Sequence, residues 1–505
     1  MDILVITLAV VAAGLLTGCF ANYEDDCKLN MSLSCFDENA GGSSSGETTI
    51  LQPNCIPASR GTPVEDDCGV FVSSSMAKEV KDGTKNAPFA TIAQAIESQK
   101  TGPIYLCAES FPEAIWVDAS RQIFGGLDCE TDWGWVGDAR KSEISPDADQ
   151  VPLLLSPTID LAVEDVLFRA KDAVEDGGSS IAIIAGMSSD LTLTRCDVEA
   201  GNAADGATSE PFATFGPAGT KGNTGVGACS AQANFGGLSV VNACDDADPN
   251  DDSIGGSGGI GAESGGGNGT SGQPAGAMNF GIGAASQQCT PGTAGDAGAA
   301  GSNGGGAHGM GSITVHGYAG TSGWPGDKGA PGQGGGGGGG AKGGALACTG
   351  FSGPGGAGGG SGGSGGCGGL GGAGGQAGGA SIGILSHGAQ LTFTRVQITT
   401  KAGGNGGNGQ LGQYGGSGGF GGYGGSGGNG MLKDACGGGQ GGQGGQGGRG
   451  GGGLGGHSIG IAFTGDPPDF PQDKITIGVA GAPGFGEGPD GTGNPGIAQK
   501  LQVFN

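Results

Sequence analysis

Aromatic residues make up only 5% of the chain and charged residues only 14%. So few rings cannot fill several ordinary compact cores, and so few charges do not describe a charged disordered tail. Basic residues are the rarer sign: 21 Lys and Arg stand against 48 Asp and Glu, a net charge of −27. That balance argues against nucleic acid as a partner and suits a soluble surface and divalent cations. The four histidines, His308, His316, His387 and His457, lack zinc-ligand spacing. No Ser-His-Asp or Cys-His nucleophile stands out, and GxGxxG matches carry no phosphate signal in a chain this rich in glycine. One long apolar run, 3–16, falls short of the roughly 20 residues of a comfortable transmembrane helix.

Glycine is what the chain has in excess, 125 of 505 residues, and 14 cysteines point to an oxidising compartment. The apolar run ends in "LLTGC" (15–19), which resembles the lipobox of bacterial lipoproteins, although the preceding n-region, Met1-Asp2, has no Lys or Arg. The resemblance implies a signal peptide over 1–18, lipidation of Cys19, and a membrane partner through that anchor. Phe20 in place of Asp implies the outer membrane or cell surface. Residues 19–66 read as a tether with a flexible "AGGSSSGE". Within it and just beyond, Cys27 with Cys35 and Cys55 with Cys68 are candidates to close two small loops.

A spaced repeat organises the chain from residue 159 onward. "IDLAVEDVLFRA" (159–170), "SDLTLTRCDVEA" (189–200) and "AQLTFTRVQITT" (389–400) place Leu161, Val163, Val166 and Phe168 in line with Leu191, Leu193, Cys196 and Val198, and with Leu391, Phe393, Val396 and Ile398. Period-2 alternation, a skipped corner and a second alternation spell strand, bend, strand. A second motif recurs as "SIAII" (180–184), "SITV" (312–315), "SIGIL" (381–385) and "SIGIA" (458–462). Each unit needs stacked neighbours to bury its face. Cys196 falls on an inward position and reads as a buried free thiol.

The segment "DGTKNAPFATIAQAIESQKTGPIYLCA" (82–108) has a capping-box start at Thr91 and then a strand, and "AIWVDA" (114–119) and "RQIFGGLDCETDWGW" (121–135) come next. Together they resemble the N-terminal cap of pectin-lyase-like, right-handed parallel β-helices. The implied class is all-β: a solenoid with long glycine-rich insertions. Its parts are a cap and first coils over 67–200, inserts over 201–307, 319–379 and 402–456, a strand within 308–318, a coil over 380–401 and a final coil and C-terminal segment over 457–505. Cys107 and Cys129, 22 residues apart, suit either a disulfide between adjacent rungs or two buried thiols.

The inserts keep time. Every third residue is glycine from Gly403 to Gly430 and again from Gly438 to Gly456. A linker has no reason to hold that phase, whereas a left-handed threefold helix does. The long runs lack the proline of collagen. They resemble the polyglycine II packing of springtail antifreeze proteins and certain phage tail-tip adhesins, and the chain as a whole resembles glycine-rich, PGRS-type bacterial surface proteins. Two readings of the inserts stay open, an ordered bundle and mobile loops.

Chemistry is sparse. Asp165 and Arg169 share one rung, with Arg195 and Arg395 in the place of Asp165 in theirs, as outward polar residues of a solenoid. Asp246, Asp248, Asn250 and Asp252 alternate like the opening of a calcium loop but lack its Gly and closing Glu. The expectation is a non-enzymatic, adhesive or structural surface protein that binds glycans or proteins through its glycine-rich face, with Tyr414, Phe420 and Tyr423 at exposed edges. No cofactor beyond calcium is expected. Alternatives are a polysaccharide lyase or hydrolase, implied by fold resemblance alone, and ice binding.

Overall fold

The computed structural model describes residues 55–59, 63–98, 100, 102–137, 139–244, 251–428 and 430–505. The expected leader, Cys19, Cys27 and Cys35 lie outside the described residues. Three parallel sheets organise the rest. The first runs Val70–Val72, Ile104–Cys107, Arg121–Asp128, Asp160–Glu164, Asp190–Thr194, Gln390–Thr394, with Gly134–Trp135 added antiparallel. The second runs Ser110–Phe111, Ser142–Ile144, Val166–Arg169, Asp197–Glu199, Gln397–Thr399, Ile475–Thr476. The third runs Ile115–Val117, Leu153–Leu155, Ser180–Ala185, Ser381–His387, Ser458–Thr464, Ala498–Val503.

The chain visits these sheets in rotation, one strand on each per circuit from Arg121–Asp128 to Ser458–Thr464, after which it passes to Ile475–Thr476 with no further first-sheet strand. Leu161, Leu191 and Leu391 pair residue on residue, as do Val163, Leu193 and Phe393. Phe168, Val198, Ile398 and Ile475 form the matching column in the second sheet. These inward columns make one apolar core with Ile183, Ile384 and Ile461 of the third sheet. Cys196 lies one position before Asp197, fully buried and without a disulfide partner.

At the N-terminal end, helix Ile92–Glu97 starts where its cap residues dictate. Thr91 Oγ1 accepts from the Gln94 N–H, and Gln94 Oε1 accepts from the Ala90 N–H. The Glu113 carboxylate takes the next two free donors, the N–H groups of Ile92 and Ala93. The last part of the expected tether is not free. Cys55 is bonded to Cys68, and Val64 packs with Phe71, Tyr105, Phe124 and Trp133 over the outer face of the first sheet. A further disulfide joins Cys107 to Cys129 across adjacent strands.

The central strands of the third sheet, from Leu153–Leu155 to Ser458–Thr464, are buried on both faces, which is why they read as nearly unbroken apolar runs. Its outer residues Ile181, Ile382 and Ile459 are covered by Ile313, Phe504 and Tyr318. Here one expectation is corrected. Ser312–Thr314 does not take a place in the stack; it pairs antiparallel with Gly317–Ala319 as a hairpin lying on that outer face. Every strand of the third sheet from Leu153–Leu155 to Ser381–His387 leads into a strand of the first, and no such copy follows Thr314. Residues 201–380 are therefore one excursion, not two.

All three excursions, 201–380, 400–457 and 477–497, leave after a second-sheet strand and return at the start of a third-sheet strand. A buried column, Ser180, Ser381 and Ser458, opens the third-sheet strand of the circuit from which each excursion departs. Their hydroxyls accept from the departing Gly201, Lys401 and Gly478 N–H groups at 2.7–3.0 Å. Ser381 Oγ also donates to the Gly201 carbonyl, joining the two ends of the first excursion at 2.7 Å.

The glycine-rich segments are packed on one another, and their hydrogen bonds advance three residues at a time. Gly441, Gly444, Gly447, Gly450, Gly453 and Gly456 donate to the carbonyls of Gly419, Gly416, Gln413, Gln410, Gly407 and Gly404, an antiparallel pairing at 2.7–2.9 Å. Their neighbours Gly439, Gly442, Gly445 and Gly448 turn to a different partner, the carbonyls of Gly336, Gln333, Ala330 and Asp327. Gly363, Gly366, Gly369 and Gly372 donate to carbonyls of the same segment in parallel. One segment thus bonds to several neighbours around its axis, as a backbone with no internal hydrogen bonds requires. Cys229–Cys348, Cys244–Cys367 and Cys289–Cys436 cross-link the segments.

Candidate functional site

Two places on this scaffold concentrate functional side chains. The first is the corner between the first two sheets. Asp165, Arg195 and Arg395 occupy equivalent corners, each with φ between 54° and 57°. Asp165 is 2% exposed, and its carboxylate receives Trp135 Nε1 at 2.8 Å, Arg195 Nε at 2.7 Å and Arg195 Nη2 at 2.6 Å. Arg195 also binds Glu164 at 2.5 Å and lies over the Trp135 ring, 5.5 Å from its centroid. The hydrogen bonds from Asp165, ahead of those from Glu164, hold the guanidinium above its usual pKa despite partial burial. Arg169 bridges Glu143 and Glu199 on the strands to either side, and Lys141 pairs with Asp197 across the intervening strand Val166–Arg169. The corner is thus a closed ion-pair ladder whose groups hold one another. Proton transfer needs a group with a face open to substrate, and the Asp165 carboxylate has none. The Cys196 thiol beside it is pushed up to about 12 by burial, far from a thiolate nucleophile.

Sequence reading placed Asp165, Arg195 and Arg395 in one column but missed Trp135 and Glu164. Glu164 was within reach, since it precedes Asp165 in the repeat. Trp135 was not, because only the antiparallel Gly134–Trp135 strand returns it to this corner. Arg395, at the last of the three corners, is exposed.

The second place is the outer row of the bundle segment 402–428. The first two residues of each triplet, both glycine except for Gln410 and Gln413, face neighbouring chains and the third faces outward: Leu411, Tyr414, Ser417, Phe420, Tyr423 and Ser426 are all exposed while the residues between them are mostly buried. Hydrogen bonds recur every third residue along the segment, and at the rise of a threefold helix, about 3.1 Å per residue, the row would repeat every ~9 Å. The adjoining parallel segment donates Gly216, Gly219, Gly222 and Gly225 N–H groups to the carbonyls of Tyr414, Ser417, Phe420 and Tyr423. That pairing fixes two neighbouring chains in register. It sets Phe215 against Tyr414, ring centroids 5.8 Å apart, and Lys221 Nζ 5.1 Å from the Tyr423 centroid. Phe420 and Tyr423 remain about 70% exposed on a backbone fixed on several sides.

Of the calcium-loop candidates, Asp246, Asp248 and Asn250 lie outside the described residues, and Asp252 directly precedes the strand Ser253–Ile254. Among the described residues, no group of three or more His, Cys, Asp or Glu is placed to hold a metal, and no helix is long and apolar enough to cross a membrane. His308 is exposed. His457 is fully buried and bonds on both ring nitrogens, to the Met310 carbonyl at 2.8 Å and from the Ile497 N–H at 3.0 Å. No family model, no curated protein and no solved structure matches this chain.

Proposed function

We propose that this chain is an exported, surface-anchored adhesive protein that grips glycans or proteins of other surfaces through its glycine-rich bundle. In this reading the three stacked sheets are a right-handed parallel β-helix of pectin-lyase type, the bundle is polyglycine II, and Cys19 carries the lipid that anchors the protein at the outer membrane. The observation that carries it is the outward row of 402–428, in which large side chains stand exposed at a constant pitch on a packed backbone. Large exposed apolar side chains clustered on a soluble surface mark interaction sites. Here they lie on a support that loses little freedom when it binds.

Adherence to partner cells or glycan-coated beads tests the reading. The comparison is between the native chain and one in which residues 402–456 are replaced by a short turn, since Thr400 Oγ1 and Ser458 Oγ already meet at 2.9 Å. Adherence should collapse in the shortened protein; equal adherence would sink the proposal. For the anchor, a clickable fatty acid fed to expressing bacteria should label the native chain and not Cys19→Ala.

A further inference from the structure

The row on 402–428 specifies more than an apolar patch. Leu411, Tyr414, Ser417, Phe420, Tyr423 and Ser426 contain no charge; Lys221 rests over the Tyr423 ring, and Arg449 donates to the Gly409 carbonyl of the same segment. The chain as a whole carries −27, so an acidic polymer would meet net repulsion, and these two cations are already engaged. Aromatic rings present apolar faces with a polar rim, and Tyr adds a hydroxyl. Ser417 puts a hydroxyl between Tyr414 and Phe420, and Ser426 puts one just beyond Tyr423. A straight row of apolar faces and hydroxyls at a fixed ~9 Å step is complementary to a polymer that presents apolar faces rimmed by hydroxyls at a similar step. The C–H faces of pyranose rings in an extended β-linked chain provide it, because successive disaccharides turn the same face to one side at nearly that spacing. An α-linked chain coils and offers no such straight series of faces.

We infer that the row binds a neutral, extended β-linked polysaccharide laid along the 402–428 segment, with Tyr414, Phe420 and Tyr423 stacking on sugar faces and the two serines bonding to ring hydroxyls. This rests on the adhesive reading above and narrows it to one class of ligand. Phe215, packed on Tyr414, widens the platform at one end, and Lys221 holds the Tyr423 ring at the other. The parallel segment 216–225 keeps both ends in step.

The experiment is a binding isotherm of the full chain on microcrystalline cellulose and on chitin, with granular starch as the α-linked comparison. Three proteins are compared: the native chain, the triple variant Tyr414→Ala, Phe420→Ala, Tyr423→Ala, and a control with Leu346→Ala and Phe351→Ala, which removes exposed apolar side chains from a turn elsewhere. The native chain and the control should bind a β-linked polymer and not starch, and the triple variant should bind at least about tenfold more weakly, the product of three lost ring contacts. Amide exchange of the bundle should be the same in all three, since the replaced side chains are exposed. Equal binding by the triple variant would overturn the row as the site and leave glycan adhesion standing. Equal binding of starch would overturn the pitch argument. Binding to no polysaccharide would overturn the inference, while adherence of the chain to cells would still decide the broader reading.

Discussion

A single methyl group separates tolerated from forbidden positions in the bundle. A Cβ on Gly444 would fall inside the van der Waals shell of the Cys367 carbonyl oxygen, and one on Gly445 would meet the Ala299 carbonyl. Neither glycine has a left-handed φ, so the demand is for space, not for conformation. Gln443, between them and Gly441–Gly442, points outward and is exposed. Gly444→Ala should therefore lower stability by about 1–3 kcal/mol through overpacking, while Gln443→Ala should leave it unchanged, as read from urea midpoints. At the ion-pair corner, Asp165→Ala leaves Arg195 with Glu164 as its remaining carboxylate in a nearly closed site and takes the acceptor from Trp135 Nε1. Removing one partner of a buried pair costs roughly 3–5 kcal/mol, so this variant should be among the least stable single substitutions in the stacked sheets.

At the scale of elements, the junctions where excursions leave and return carry the sharpest consequences. Ser381→Ala removes the donor to the Gly201 carbonyl and the acceptor for the Lys401 N–H in one step. Buried groups left without partners cost about 1–3 kcal/mol, and the loss should appear as faster amide exchange at Lys401, whose N–H loses its acceptor. His457 pins three elements: the segment before the hairpin through Met310, the last strand through Ile497, and the Tyr318 ring at 5.1 Å. Both partners fix the neutral imidazole, with Nε2–H donating and Nδ1 accepting. Burial, only partly opposed by the Met310 carbonyl, holds its pKa below the usual histidine range. The stability that His457 supplies is complete above the unfolded value of about 6.5 and falls as pH drops through that value toward the lower folded pKa. Acid unfolding profiles of the native chain and His457→Gln should differ by that slope between neutral and mildly acidic pH, with the variant lacking it.

Across the whole molecule, two kinds of order are joined. Stacked strands bury apolar columns, whereas the bundle buries mostly backbone and gains about 1 kcal/mol per net hydrogen bond against a similar ordering cost per residue. The disulfides shift that balance. Cys229–Cys348, Cys244–Cys367 and Cys289–Cys436 close loops of 119, 123 and 147 residues in sequence separation, for which chain entropy alone predicts roughly 4–5 kcal/mol each. Reduction should loosen the bundle before the sheets. Exchange protection across 403–456 should be lost while Leu191, Leu193 and Val198 stay protected; simultaneous loss would show that the two parts unfold as one.

Much of this was legible beforehand. The three copies of the strand-bend-strand repeat align in the sequence and stack in the same register, because a one-residue slip would turn Leu161, Leu191 and Leu391 from core to solvent. The three-residue beat announced where side chains could not be tolerated. The "SITV" stretch shows the limit: locally it matches "SIGI", but it pairs with Gly317–Ala319 as a hairpin, and which segment fills a place in the parallel sheet is a property of the chain path. The partners of the insert cysteines, the return of Trp135 to Asp165 and the facing of Phe215 against Tyr414 depend on which segments become neighbours across long separations. Sequence alone determined the periods, two for the strands and three for the glycine runs, because each period arises from local backbone geometry. Only the tertiary structure decided which carbonyl each glycine must accommodate and which side chains share a surface, because those depend on the contacts that close the excursions on one another.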